Sequence, residues 1–134
     1  MSINKINVLI VEDDEISASV ACTMLQRLGC RVTLANNGAE AVEYFRHNEY
    51  DVILMDWQMP VMDGIEATAR IRTMPSGLIT PIVGTSQRAG RIECLAAGMN
   101  DLMPKPFLLE RLRDMLTKWT HWEPGAESKS AAQE

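Results

Sequence analysis

Short continuous apolar runs alternate with amphipathic segments of helical period along nearly the whole chain. Ile6 to Val11 is an unbroken apolar run apart from Asn7, the signature of a strand covered on both faces. Ile16, Val20, Met24 and Leu28 then recur at helical spacing, and Gly29 supplies a stop. Arg31 to Leu34 reads as a second strand. Asn37 can cap a helix whose buried face holds Ala41, Val42 and Phe45. Val52 to Met55 is a third strand, and a loop with Pro60 and Gly64 leads into a helix from about Ile65 to Thr73. Pro81 opens a fourth strand, Ile82 to Thr85, followed by a helix that uses Ile92, Leu95 and Ala96 and ends at Gly98. Leu102 and Met103 make a short fifth strand before a last helix carrying Leu109, Leu112, Leu116 and Trp119.

Five β-α units in succession predict an α/β fold with a doubly wound, five-stranded parallel sheet, because right-handed crossovers put helices on both faces. Strand order 2-1-3-4-5 is the simplest arrangement. The pattern assigns residues 1–122 to one folded domain. Residues 123–134, EPGAESKSAAQE, are small, polar and aperiodic, and read as a disordered tail or linker too short for an effector domain.

Composition narrows the function classes. A chain of 134 residues with 46% hydrophobic content can bury one ordinary core. Its net charge of -5 and the lack of a basic run argue against a nucleic-acid surface. No apolar stretch is long enough to span a bilayer, and MSINKINVLIVEDD lacks the cleavage site of a secretory signal. Cys22, Cys30 and Cys94 are odd in number and widely spaced, as expected of reduced thiols in a cytoplasmic protein.

The candidate chemistry lies just past the strands. Glu12, Asp13 and Asp14 follow the first, Asp56 the third, Thr85 and Ser86 end the fourth, and Lys105 follows the fifth. In a parallel sheet all these positions share the strand-end edge, where ligands bind. Asp56 is placed to attack phosphorus, and a divalent cation would let the two negative groups approach. Mg2+ suits a few carboxylates with water and phosphate oxygens, which Asp13, Glu12 and Asp56 can supply. Asp13 or Asp14 could equally cap the first helix, and Asp14 is the one expected near the cap. Lys105, between Pro104 and Pro106, offers a mobile point charge on a constrained backbone. Either Ser86 or Thr85 could give a hydroxyl to a phosphoryl oxygen, since strand alternation sends only one of them to the crevice.

VLIVEDDE, DVILMDWQMPVMDG, PIVGTS and KPF, in this order and spacing, resemble the receiver domains of two-component response regulators over roughly residues 5 to 119. The resemblance is strongest to receivers of hybrid sensor kinases and implies a flavodoxin-like fold. It makes Asp56 the phosphoacceptor, Asp13 a direct Mg2+ ligand, Glu12 a water-mediated one and the Gln58 carbonyl part of the metal shell. It selects Ser86 over Thr85 as the hydroxyl and Lys105 as the phosphate-pairing lysine. It also implies a sensor histidine kinase or histidine phosphotransfer protein as donor. A downstream protein target would dock on a face around Arg88, Arg91, Leu102 and Arg111.

Three positions depart from the family pattern: Leu102 replaces a common aromatic, Gln87 a small residue, and Pro104 precedes the lysine. Two other readings compete: a Mg2+-dependent phosphatase with an aspartyl nucleophile, and a phosphorylation-independent binding module. The phosphatase needs a general acid where Gln58 stands. An FMN site is disfavoured because EDDE would repel the flavin phosphate. His47 and His121 are expected away from the crevice, and Trp57 beside it.

Overall fold

Residues alternate along each strand between two helical layers, which is why the strands need apolar side chains on both faces. The computed structural model describes residues 5–87 and 90–125. Arg88, expected on the docking face, and residues 126–134 of the expected tail lie outside the described residues. The strands are β1 (Asn7–Val11), β2 (Arg31–Ala35), β3 (Val52–Asp56), β4 (Ile82–Ser86) and β5 (Asp101–Pro104). They form one parallel sheet in the order β2-β1-β3-β4-β5, as the pattern predicts. The helices are α1 (Glu15–Arg27), α2 (Gly38–His47), α3 (Gly64–Ile71), α4 (Arg91–Ala96) and α5 (Leu109–Trp119), with a 3-10 turn at Ser76–Leu78.

Val8, Ile10, Val52, Leu54 and Val83 point to the layer of α1 and α5, where Ala21, Leu25, Leu112 and Leu116 meet them. Leu9, Val11, Ile53, Met55 and Ile82 point to the other layer, against Val42, Phe45, Ile71 and Cys94. Burial of such side chains supplies roughly 1.5–3 kcal/mol each, so both faces contribute to holding the sheet. Beyond α5, buried Trp122 donates its indole N–H to the Leu28 carbonyl at 2.8 Å and ties the chain to the end of α1.

Two helix faces differ from expectation. On α1 the buried stripe is Ala18, Ala21 and Leu25, continuing to Leu28, while Ile16 is 76% exposed and Val20 is also exposed. Small Ala18 and Ala21 let the helix approach the sheet, which rotates the larger Ile16 and Val20 outward. On α4 the single buried residue is Cys94, and Ile92, Leu95 and Ala96 are all exposed. Gly84 of β4 explains the close fit there: a Cβ would lie 2.7 Å from the Met99 sulfur and 3.0 Å from the Cys94 sulfur. Strand ends also extend past the expected limits. Asp56 and Ser86 are the terminal residues of their strands, so backbone pairing fixes both at the edge.

Candidate functional site

The ends of β1, β3, β4 and β5 open onto a crevice of about 560 Å³. Glu12 continues the β1–β2 ladder through its N–H to the Ala35 carbonyl at 3.0 Å, and is 1% exposed. Asp13 next to it is exposed. Asp14 does cap α1, accepting from the Ser17 N–H at 2.8 Å, and those hydrogen bonds hold its carboxyl below the usual range. Asp56 is in register with Thr85, and the Trp57 N–H donates to the Thr85 carbonyl at 3.0 Å. Ser86 lines the crevice, whereas Thr85 is buried and does not. The Lys105 N–H donates to the Ser86 carbonyl at 3.2 Å, which joins the loop after β5 to the end of β4.

Carboxylate oxygens of Glu12, Asp13 and Asp56 all lie within 4.8 Å of one another. Lys105 Nζ sits 2.6 Å from Glu12 Oε1 and 3.4 Å from Asp56 Oδ2. Burial and then the negative charge of Glu12 push the Asp56 carboxyl up to about 7, although Lys105 opposes this. Burial alone would lower the Lys105 ammonium, but Glu12 and Asp56 outweigh it and raise its pKa. Three carboxylates against one ammonium leave the crevice short of positive charge. The oxygen donors and their spacing fit a hard divalent cation.

Trp57, Gln58 and Gln87 line the same crevice, as expected from their places in the chain. Ser17 and Glu93 also line it and were not anticipated. A helix-start signal points to Glu93, since it accepts from the Gly90 N–H three residues earlier at the head of α4. His47 lies on α2, paired with Glu43 at 3.0 Å, and His121 follows α5; neither lines the crevice. On the expected docking face, Arg91 pairs with Asp101 at 2.8 Å. Asp101 also accepts from the Trp119 indole at 3.0 Å and from Lys118 at 3.2 Å, so it bridges α4 and α5 across β5. Leu102 beside it is half-buried.

The family model of the response regulator receiver domain matches residues 8–117. The chain belongs to this family. It is 38% identical over 119 residues to two-component response regulator 24 of Arabidopsis thaliana, covering 86% of this chain and 84% of that protein. It spans only 4% and 15% of two hybrid or sensor kinases that it also matches. The receiver domain of the Pseudomonas aeruginosa sensor histidine kinase PA1611 superposes with a TM-score of 0.81 and 41% identity, over 87% of this chain and 98% of that one. That crystal structure has a magnesium ion coordinated in its active site cleft. A receiver in the Saccharomyces cerevisiae complex of the histidine phosphotransfer protein Ypd1 with Ssk1 matches with a TM-score of 0.79 and 32% identity, over 87% and 90% of the two chains. Receivers are signalling domains of two-component and phosphorelay pathways, and they pair with histidine kinases and phosphotransfer proteins. Neither the phosphatase nor the binding-module reading is favoured by these matches. Among the described residues, no helix is long and apolar enough to cross a membrane.

Proposed function

We propose that Asp56 accepts a phosphoryl group from a phosphohistidine on a sensor histidine kinase or histidine phosphotransfer protein. The supporting observation is the meeting of Glu12, Asp13 and Asp56 within 4.8 Å, with Lys105 3.4 Å from Asp56. An Asp56 oxygen attacks phosphorus, the P–N bond breaks, and its electron pair returns to the imidazole. Glu12, Asp13, Asp56 and the Gln58 carbonyl would hold Mg2+, which would screen the negative charges that meet during transfer. Ser86 donates to one phosphoryl oxygen and Lys105 pairs with another.

The aspartyl phosphate carries about -1.5 to -2 charges, taking the phosphoserine value, in place of the single charge of the ionised carboxylate. That charge draws Ser86 and Lys105 and biases the face of α4, β5 and α5 toward a downstream protein target. The chain catalyses only its own phosphorylation and dephosphorylation. Residues 1–122 form the receiver, with 123–134 as tail or linker. The free Cys22, Cys30 and Cys94 fit a reducing cytoplasm. Incubation with acetyl phosphate and MgCl2, followed by intact-mass measurement, tests the reading. One phosphoryl group should be gained, and none by Asp56→Asn; an undiminished gain in that variant overturns it.

A further inference from the structure

Asp101, at the start of β5, is a buried acid that the phosphoryl chemistry does not use. Its Oδ1 meets the Arg91 guanidinium at 2.8 Å and accepts from the Leu102 N–H at 2.8 Å. Its Oδ2 accepts from the Trp119 indole at 3.0 Å and from Lys118 at 3.2 Å. Lys118 also lies over the Trp119 ring, with Nζ 5.3 Å from the centroid. One carboxylate thus pins a long cationic side chain from α4 and another from α5, while 58% and 57% of these side chains stay exposed. Their rotamer freedom is already lost in the folded chain, so a ligand that meets both is spared that cost. Beside them a groove of about 180 Å³ runs between β5 and α5, lined by Leu102, Met103, Pro104 and Met115. Arg111 and Asp114 line it too, so three cations stand here against one exposed acid. In a chain whose acids outnumber its bases 18 to 13, that reversal is local.

We propose that Arg91 and Lys118 form a preorganised cationic clamp for an acidic segment of the downstream protein, with an aliphatic side chain of that segment in the groove between β5 and α5. This rests on the docking face proposed above and names the chemistry of its partner. Carboxylates of the segment take the solvent-facing N–H groups of Arg91 and Lys118, which are charge-assisted donors. The apolar floor of the groove favours a protein segment over a nucleic acid, whose phosphates would gain nothing from it. The net charge of -5 repels a large acidic domain. A short segment stays within a Debye length of the clamp, where the local cations outweigh that repulsion.

Fluorescence anisotropy tests this on the full chain, with acetyl phosphate and MgCl2 present. The probes are a labelled helical peptide of Glu, Ala and Leu, its twin with Lys in place of Glu, and a labelled single-stranded oligonucleotide. The acidic peptide should bind, more weakly as salt rises, and the other two should not. Arg91→Gln and Lys118→Met should each weaken it about two- to fivefold. Leu102→Gln, which puts an amide into the groove, should weaken it at least as much. Arg70→Gln, the same charge change on α3, should leave the affinity unaltered. Undiminished affinity in both clamp variants, or an equal loss in Arg70→Gln, overturns the clamp. Tighter binding of the Lys twin or the oligonucleotide overturns it as well. Intact mass of the same sample tells the two readings apart. A parent that gains no phosphoryl group fails the phosphoacceptor reading, whereas a phosphorylated parent that ignores the acidic peptide fails the clamp alone.

Discussion

Each edge of the sheet holds a partly buried cation, and the two are held in opposite ways. At the strand-start edge, Arg72 donates to the carbonyls of Gly77 at 2.6 Å, Thr80 at 2.7 Å and Gly98 at 3.0 Å, and to the Asn100 side chain at 2.8 Å. All four acceptors are neutral dipoles in fixed directions, which the planar guanidinium matches. Asn100 itself exchanges hydrogen bonds with Ile82 at 2.8 and 2.7 Å, so the knot joins the end of α3, the 3-10 turn and the starts of β4 and β5. At the strand-end edge, Lys105 faces two carboxylates, with a third beside them. There the negative charge exceeds what one ammonium can balance, and Asp56 is driven toward protonation. A cation satisfied by neutral dipoles locks a fold, whereas one outnumbered by acids leaves a site ready for another cation.

Three substitutions would break or sharpen this contrast. Arg72→Ala should cost the most, about 2–4 kcal/mol, because it strips donors from partly buried carbonyls at several places at once. Urea unfolding measures it. A cost under about 1 kcal/mol would mean that water replaces the guanidinium and that this edge is not locked.

Asp56→Asn should act with the opposite sign. The folded Asp56 carboxyl titrates at about 7 against an ordinary value of 3.8, chiefly through burial and the charge of Glu12. Between those values the folded chain keeps a proton that the unfolded chain has lost. The metal-free protein therefore loses stability as pH rises from about 4 to about 7. Removing the charge should stabilise it by about 1–2 kcal/mol at pH 8, less than the full shift implies because solvent screens the part-exposed site and the Asn amide must itself be desolvated there. Unfolding curves should show this gain shrinking toward pH 4, and an equal gain at both pH values would contradict the frustration assigned to this edge.

Smallest is Val61, a β-branched residue held at φ 70 in the loop after β3. Val61→Asn should relieve about 0.5–1 kcal/mol, since Asn tolerates the left-handed region far better. An unchanged melting temperature would show that the strand-end edge carries charge frustration without backbone strain.

The strand order and the gathering of Glu12, Asp13, Asp56, Ser86 and Lys105 at one crevice were legible in the sequence. Apolar runs mark the strands, and the parallel arrangement sends every strand end to one edge. Helix faces were less legible. Along α1, Ile16 and Val20 continue a four-residue spacing as well as Ala18 and Ala21 fill a close-packed stripe, so spacing and residue size alone do not say which face meets the sheet. On α4 a six-residue helix offers too little period to define a face. The Arg72 knot left no trace in the pattern, because one long side chain reaches carbonyls of Gly77, Thr80 and Gly98, residues of no distinctive type. The contact between Lys105 and Glu12 was hidden for a related reason: spacing places both at the crevice but does not say which acid the lysine prefers.

The most direct test is to trap the acyl phosphate. After phosphorylation with acetyl phosphate and MgCl2, borohydride reduces an aspartyl phosphate to homoserine, which peptide sequencing by mass spectrometry can place. Homoserine at position 56, absent without MgCl2, is the predicted result. Homoserine at Asp13 or another acid, or none despite a gain of phosphoryl mass, would contradict the assignment of Asp56 as the reactive carboxylate.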